Sequence, residues 1–187
     1  LGGFGYLPPR EAYAKSKQEA LRAPGLDRTL AEAHAALACV PFPFDWDWIG
    51  ADKSFRLALQ HNPGYSTAHH WYGVYLTLMG RFAAGLAAVD RALELDPLSV
   101  SVHWTRGYVL YYHRRPEDAI AQYQRALTID PTFARVHVDI GLVHVQEGHH
   151  AQGIEEIRKG MDLLEPIPSL LATLGYAYAM AGDRVEA

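Results

Sequence analysis

The chain has 187 residues, 49% of them hydrophobic, and a formal net charge of −4. That length supports a sizeable core, and that apolar content excludes a disordered chain. The mild acidity argues against a broad nucleic-acid-binding face, which needs clustered Lys and Arg.

Taken in order, the opening LGGFGYLPPR has no starting Met and none of the features of a secretory leader, so the chain reads as a fragment of something longer. A helix is expected from about Pro9 to Ala23, with GLDRTLAEA as its tail. Residues 31–40, AEAHAALACV, form a first helix that Pro41 ends early. The stretch PFPFDWDWIG, residues 41–50, follows. Asp47 is placed to cap the next helix. PFPFDW then reads as a turn with one inserted residue, whose Phe42, Phe44 and Trp46 plug a hole against HHWYG, residues 69–73. The alternative for these aromatics is a hook at the lip of a groove. Beyond them, patterns of period 3.6 alternate in pairs, such as VSVHWTRGYVLYYHR and PEDAIAQYQRALTIDP. The most apolar run, Leu170 to Gly182, is too short to span a bilayer, so no membrane association is expected. Cys39 is the single cysteine; no intrachain disulfide is possible, and a packed thiol in a reducing, cytoplasmic compartment is expected.

The pairs repeat. Glycines stand at 73, 107, 141 and 175, and prolines at 63, 97 and 131, each step 34 residues. Small residues early in the second helices (Ala51, Gly85, Ala119, Gly153) let each pair pack closely, and bulky ones four later (Phe55, Val89, Tyr123, Ile157) fill the gap. The prolines stop the second helices. Gly80, Gly148 and Gly182 end first helices, where a left-handed cap suits glycine.

These spacings resemble the tetratricopeptide repeat (TPR) family over nearly the whole chain. The resemblance implies an all-α fold, a right-handed α-α superhelix of stacked antiparallel helix pairs, with first helices on its concave side. The chain is then one TPR domain: a partial repeat at 1–30, repeats at 31–65, 66–99, 100–133 and 134–167, and a truncated one at 168–187. Truncated ends expose apolar faces, so further repeats, another domain or a second copy is expected to cover them. A narrower likeness joins DWDWIGADKSFRLALQHNPGYSTAHHWYGVYL to TPR regions of large bacterial regulators, which follow winged-helix, nucleotide cyclase or Ser/Thr kinase domains. It implies a bacterial signalling or transcriptional setting.

TPR proteins generally hold peptides along the concave groove. The positions that resemblance assigns to the groove include His70, Val74, Trp104, Tyr108, Tyr111, Tyr112, Arg135, Leu142 and Tyr176. They are mostly aromatic and apolar, which suits an apolar or aromatic peptide segment or a partner domain. The Lys, Arg and Asn pattern of a carboxylate clamp for acidic chaperone tails is missing. Self-association through the solenoid ends, and a small-ligand sensor pocket, are the alternatives.

Arg106 sits where other repeats carry Leu37, Tyr72, Ile140 and Leu174. It is expected to snorkel, or else to pair with Asp139. His34, His69, His103 and His137 recur at one repeat position, which points to packing rather than to metal. His144, His149 and His150 fit no usual zinc spacing. No phosphate loop, nucleophile elbow or zinc-protease motif occurs, so neither catalysis nor a cofactor is expected.

Overall fold

The computed structural model describes residues 31–39, 47–164 and 167–183, with side chains left undescribed at 33 and 37–39. The expected helix at Pro9 to Ala23, the Cys39 thiol and the plug of Phe42, Phe44 and Trp46 therefore lie outside the described residues. Within them every regular element is helical: α1 Ala31–Cys39, α2 Trp48–His61, α3 Ser66–Leu78, α4 Phe82–Leu95, α5 Val100–Tyr112, α6 Pro116–Ile129, α7 Ala134–Gln146, α8 His150–Asp162 and α9 Pro168–Ala181. The expected fold class, all-α and built of antiparallel helix pairs, is the one found. The chain divides into two compact units, Leu1–Pro97 and Leu98–Ala187.

The sequence marks act as chain-local chemistry. The Asp47 side chain caps α2 by accepting from the Gly50 amide at 2.8 Å. Helices α2, α4 and α6 end at His61, Leu95 and Ile129, with one capping residue between each end and the proline. Proline cannot continue the ladder, so the chain turns there.

Close pairing follows from the missing side chains. A Cβ added at Gly73 would lie 2.4 Å from Val89 Cγ2 and 3.0 Å from the Gly85 carbonyl. At Gly107 it would lie 2.4 Å from the Tyr123 ring, and at Gly141 2.6 Å from the Gly153 carbonyl. The bulky partners Phe55, Val89, Tyr123 and Ile157 are buried to within 1% of completely. In the N-terminal unit Ala51, Phe55, Tyr75 and Leu76 form one core cluster, against which Trp48 packs. The Tyr75 hydroxyl donates to the Trp48 carbonyl at 2.8 Å. In the C-terminal unit Val145, Ile157 and Ala177 join α7, α8 and α9. Arg158 of α8 lies over the Tyr178 ring of α9, 5.6 Å from its centre, and donates to its hydroxyl.

The first helices end in one repeated motif. Gly80, Gly148 and Gly182 have φ of 71, 83 and 82°. The next amide of each turn reaches back to the helix: Arg81 to the Leu76 carbonyl at 2.8 Å, His149 to His144 at 2.8 Å and Asp183 to Tyr178 at 3.0 Å. This is the left-handed Schellman closure. The fourth position of the series is Arg114, with φ of 59° and the same bond from Arg115 to Leu110 at 3.0 Å. A side chain in this conformation costs roughly 1–2 kcal/mol, less what glycine loses in unfolded-state entropy. Arg114→Gly is therefore expected to stabilise the chain by about 1 kcal/mol, seen as a higher urea midpoint at unchanged slope. A lower midpoint would show that the Arg114 side chain stabilises the turn by more than the strain.

His34, His69, His103 and His137 each find a local partner. His34 stacks on His61 at 5.4 Å between ring centres. His69 Nε2 is 2.9 Å from the Pro63 carbonyl, and His137 Nδ1 is 2.9 Å from Glu156. His103 Nδ1 is 3.4 Å from the Gln122 side-chain oxygen. Their recurrence thus reflects how a first helix meets the helix beside it.

Candidate functional site: an aromatic face on the first helices

Helix α5 carries Trp104, Tyr108, Tyr111 and Tyr112 at spacings that keep them on one stripe of the helix. Adjacent rings touch in sequence. Trp104 and Tyr108 centres are 6.1 Å apart, Tyr108 and Tyr112 are 4.6 Å apart, and Tyr111 meets Tyr112 edge-on at 5.3 Å. Phe133 closes the far side of Trp104, edge-on at 6.4 Å. Trp104, Tyr108 and Tyr111 are half-buried, while Tyr112 is 47% exposed. Desolvation, then the neighbouring Tyr112 and Tyr176 phenols, push the Tyr111 hydroxyl up to about 12. Tyr108 is pushed above its ordinary value, first by desolvation and then by Tyr112. These groups stay neutral at physiological pH and act as rings with hydroxyl tips.

The neighbouring first helix, α7, supplies the polar frame. Asp139 is 7% exposed, and its carboxylate accepts from Trp104 Nε1 at 2.6 Å. It also accepts from Arg135 Nε at 3.1 and 3.2 Å. The Arg135 guanidinium lies over the Trp104 ring, 5.9 Å from its centre. Desolvation works against the Arg135 charge, but the Asp139 carboxylate more than offsets it and holds the guanidinium above its usual value. One buried carboxylate therefore fixes both an indole and a guanidinium. Trp104 and Arg135 both donate to Asp139, and Arg106 is half-buried on α5. The signal that could have found this frame is an acidic residue at a repeat position where Ala36, Thr105 and Thr173 are small and Trp71 is aromatic.

The other expected groove residues are placed as follows. Leu142 is half-buried on α7, and Tyr176 on α9 is 43% exposed. Tyr176 is close enough to Tyr111 to raise its hydroxyl. His70 and Val74 belong to α3 in the N-terminal unit. Val74 is half-buried. His70 is only 6% exposed and stacks on Trp71 at 4.9 Å. Desolvation drives its ring down to about 4, so it is a neutral core group.

Beside Tyr111 the C-terminal unit holds an open cavity of about 400 Å³, lined by Tyr111, Arg114, Pro116, Glu117, Val143, Gln146 and Glu147. No helix among the described residues is long and apolar enough to cross a membrane.

Comparison with known proteins agrees with this fold. The family model for the tetratricopeptide repeat matches residues 79–134. Among solved structures, Pseudomonas aeruginosa PilF is 22% identical, covering 98% of this chain and 83% of PilF, with a TM-score of 0.72. PilW, a type IV pilus biogenesis factor, is 19% identical over 95% of this chain and 82% of PilW, with a TM-score of 0.81. YrrB, described as a TPR protein with an unusual peptide-binding site, is 16% identical over 89% of this chain and 86% of YrrB, at 0.59. The sequence match is to the tetratricopeptide repeat over residues 79–134, and the solved structures share the helical-pair fold over most of the chain.

Proposed function

We propose that this chain is a non-catalytic protein-binding scaffold that holds an apolar or aromatic peptide segment, or a partner domain, on the first-helix face around Trp104, Tyr108, Tyr111 and Tyr112. The observation that carries this reading is a contiguous ring cluster left partly exposed, with its Trp104 indole N–H already held by Asp139. Such pre-set aromatic anchors lose little entropy on binding. The fold relatives fit the reading: YrrB is described by its peptide-binding site, and PilW as a type IV pilus biogenesis factor. A cytoplasmic place within a larger bacterial signalling or transcriptional regulator is the setting we assign, on the likeness of residues 45–76 to such proteins.

The test is retention of a partner from cell extract by the tagged chain, beside a Trp104→Ala, Tyr108→Ala double variant whose helicity is checked by circular dichroism. The wild type is expected to retain a partner that the folded variant loses by at least about tenfold, the effect of one anchor residue. Equal retention by both would move the binding surface away from α5. A second reading, self-association, rests on Leu171, Tyr176 and Met180 of α9, which are 53, 43 and 46% exposed. A dimer that survives dilution in light scattering would favour it.

A further inference from the structure

The cavity beside Tyr111 has a charge pattern that the aromatic face lacks. It lies where α5 and α7 both end and where α6 begins. Two helix C-termini turn their partial negative charge toward this region, and the N-terminus of α6 offsets part of it with partial positive charge. Glu117 stands in the first turn of α6, where a carboxylate is favoured in any case. Glu147 is different. It caps the C-terminus of α7, where the helix dipole opposes a carboxylate, and among the described residues no ion pair or hydrogen bond engages its side chain. Glu147 is exposed and lines the cavity of about 400 Å³, so its carboxylate is available to a cationic ligand. Tyr111 adds an aromatic wall whose hydroxyl stays neutral. A planar cation can stack on such a ring and meet carboxylates at its rim. Arg114 is the one opposing charge lining the cavity.

We propose that this cavity receives a cationic side chain, a guanidinium above all, from the segment that lies on the aromatic face. The inference rests on the binding reading above and adds a charge requirement to it. Arg135 stands in the first turn of α7, at the opposite end of that helix from Glu147. Asp139 pairs with it there, so the carboxylates left for a basic residue, Glu117 and Glu147, lie at the Tyr111 end.

The probe is N-acetylarginine amide, titrated into the 187-residue chain beside its uncharged isostere, N-acetylcitrulline amide, while the amide resonances of Tyr111, Val143 and Gln146 are followed. Saturable shifts are expected with the arginine compound and none with the citrulline compound. Glu117→Gln with Glu147→Gln is expected to weaken the binding by about fivefold or more, the scale of exposed ion pairs. Arg114→Gly is expected to strengthen it, because the change removes the opposing charge. Absent shifts, equal shifts with both compounds, or indifference to all three substitutions would overturn the proposal. The Trp104→Ala, Tyr108→Ala variant is expected to keep its response to the arginine compound, since neither residue lines the cavity. Partner retention that depends on Trp104 without an arginine response defeats this inference alone. An arginine response without partner retention defeats the reading of the aromatic face alone.

Discussion

Gly141→Ala is expected to cost about 3 kcal/mol, the upper end for overpacking a tight interface. A Cβ at this position meets the Gly153 carbonyl at 2.6 Å, Ile157 Cγ1 at 2.6 Å and the Ile157 amide nitrogen at 3.0 Å. Two of these three are backbone atoms of α8, so no rotamer change relieves the clash. The reverse contact is equally tight, because a Cβ at Gly153 would lie 2.7 Å from the Gly141 carbonyl. The two helices touch backbone to backbone, and one methyl group must push them apart along several turns. Ile157, fully buried between them, would lose part of its packing. The measurement is a urea unfolding curve. Gly64→Ala is the control, since its added Cβ meets only the Asn62 side-chain oxygen at 3.5 Å. That control is expected to stay within about 0.5 kcal/mol of the parent. If Gly141→Ala unfolds at the same urea concentration as the parent, α7 and α8 are not held at backbone contact.

The same contrast separates what could be read from the residues from what could not. Gly73, Gly107 and Gly141, the prolines that follow α2, α4 and α6, and the Asp47 cap act within a few residues or one helix pair, so spacing alone revealed them. Arg114 escaped that reading. It stands at the same 34-residue step as Gly80, Gly148 and Gly182, but its residue type does not announce the left-handed turn that it adopts. His70 has the repeat position of a groove residue, and the structure gives it 6% exposure and a stacked contact with Trp71. Repeat numbering places a residue on a helix face but does not say how deeply neighbouring helices bury it. The Asp139 frame joins residues 35 apart on neighbouring first helices, so it exists only once those helices are stacked.

Asp139→Ala is expected to cost about 2 kcal/mol, the range for hydrogen bonds to a charged group. The substitution leaves the Trp104 N–H, in a half-buried setting, without its acceptor. Arg135, whose side chain is 53% exposed, loses its carboxylate but can turn to water, so the indole bears most of the loss. Asp139→Asn separates these contributions. It keeps an acceptor for the indole, removes the charge facing Arg135, and is expected to cost no more than about 1 kcal/mol. A double-mutant cycle with Trp104→Phe measures the coupling directly, and about 1 kcal/mol or more is expected between Asp139 and Trp104. A coupling near zero would mean that the 2.6 Å bond is not maintained in solution. The cycle also bears on function. Neither Asp139→Ala nor Asp139→Asn removes an aromatic ring, so the contact area offered to a partner is unchanged. A fall in partner affinity with Asp139→Ala that Asp139→Asn does not share would show that the face binds through a pre-oriented indole. An equal fall in both would assign the effect to the charge that holds Arg135 over the ring.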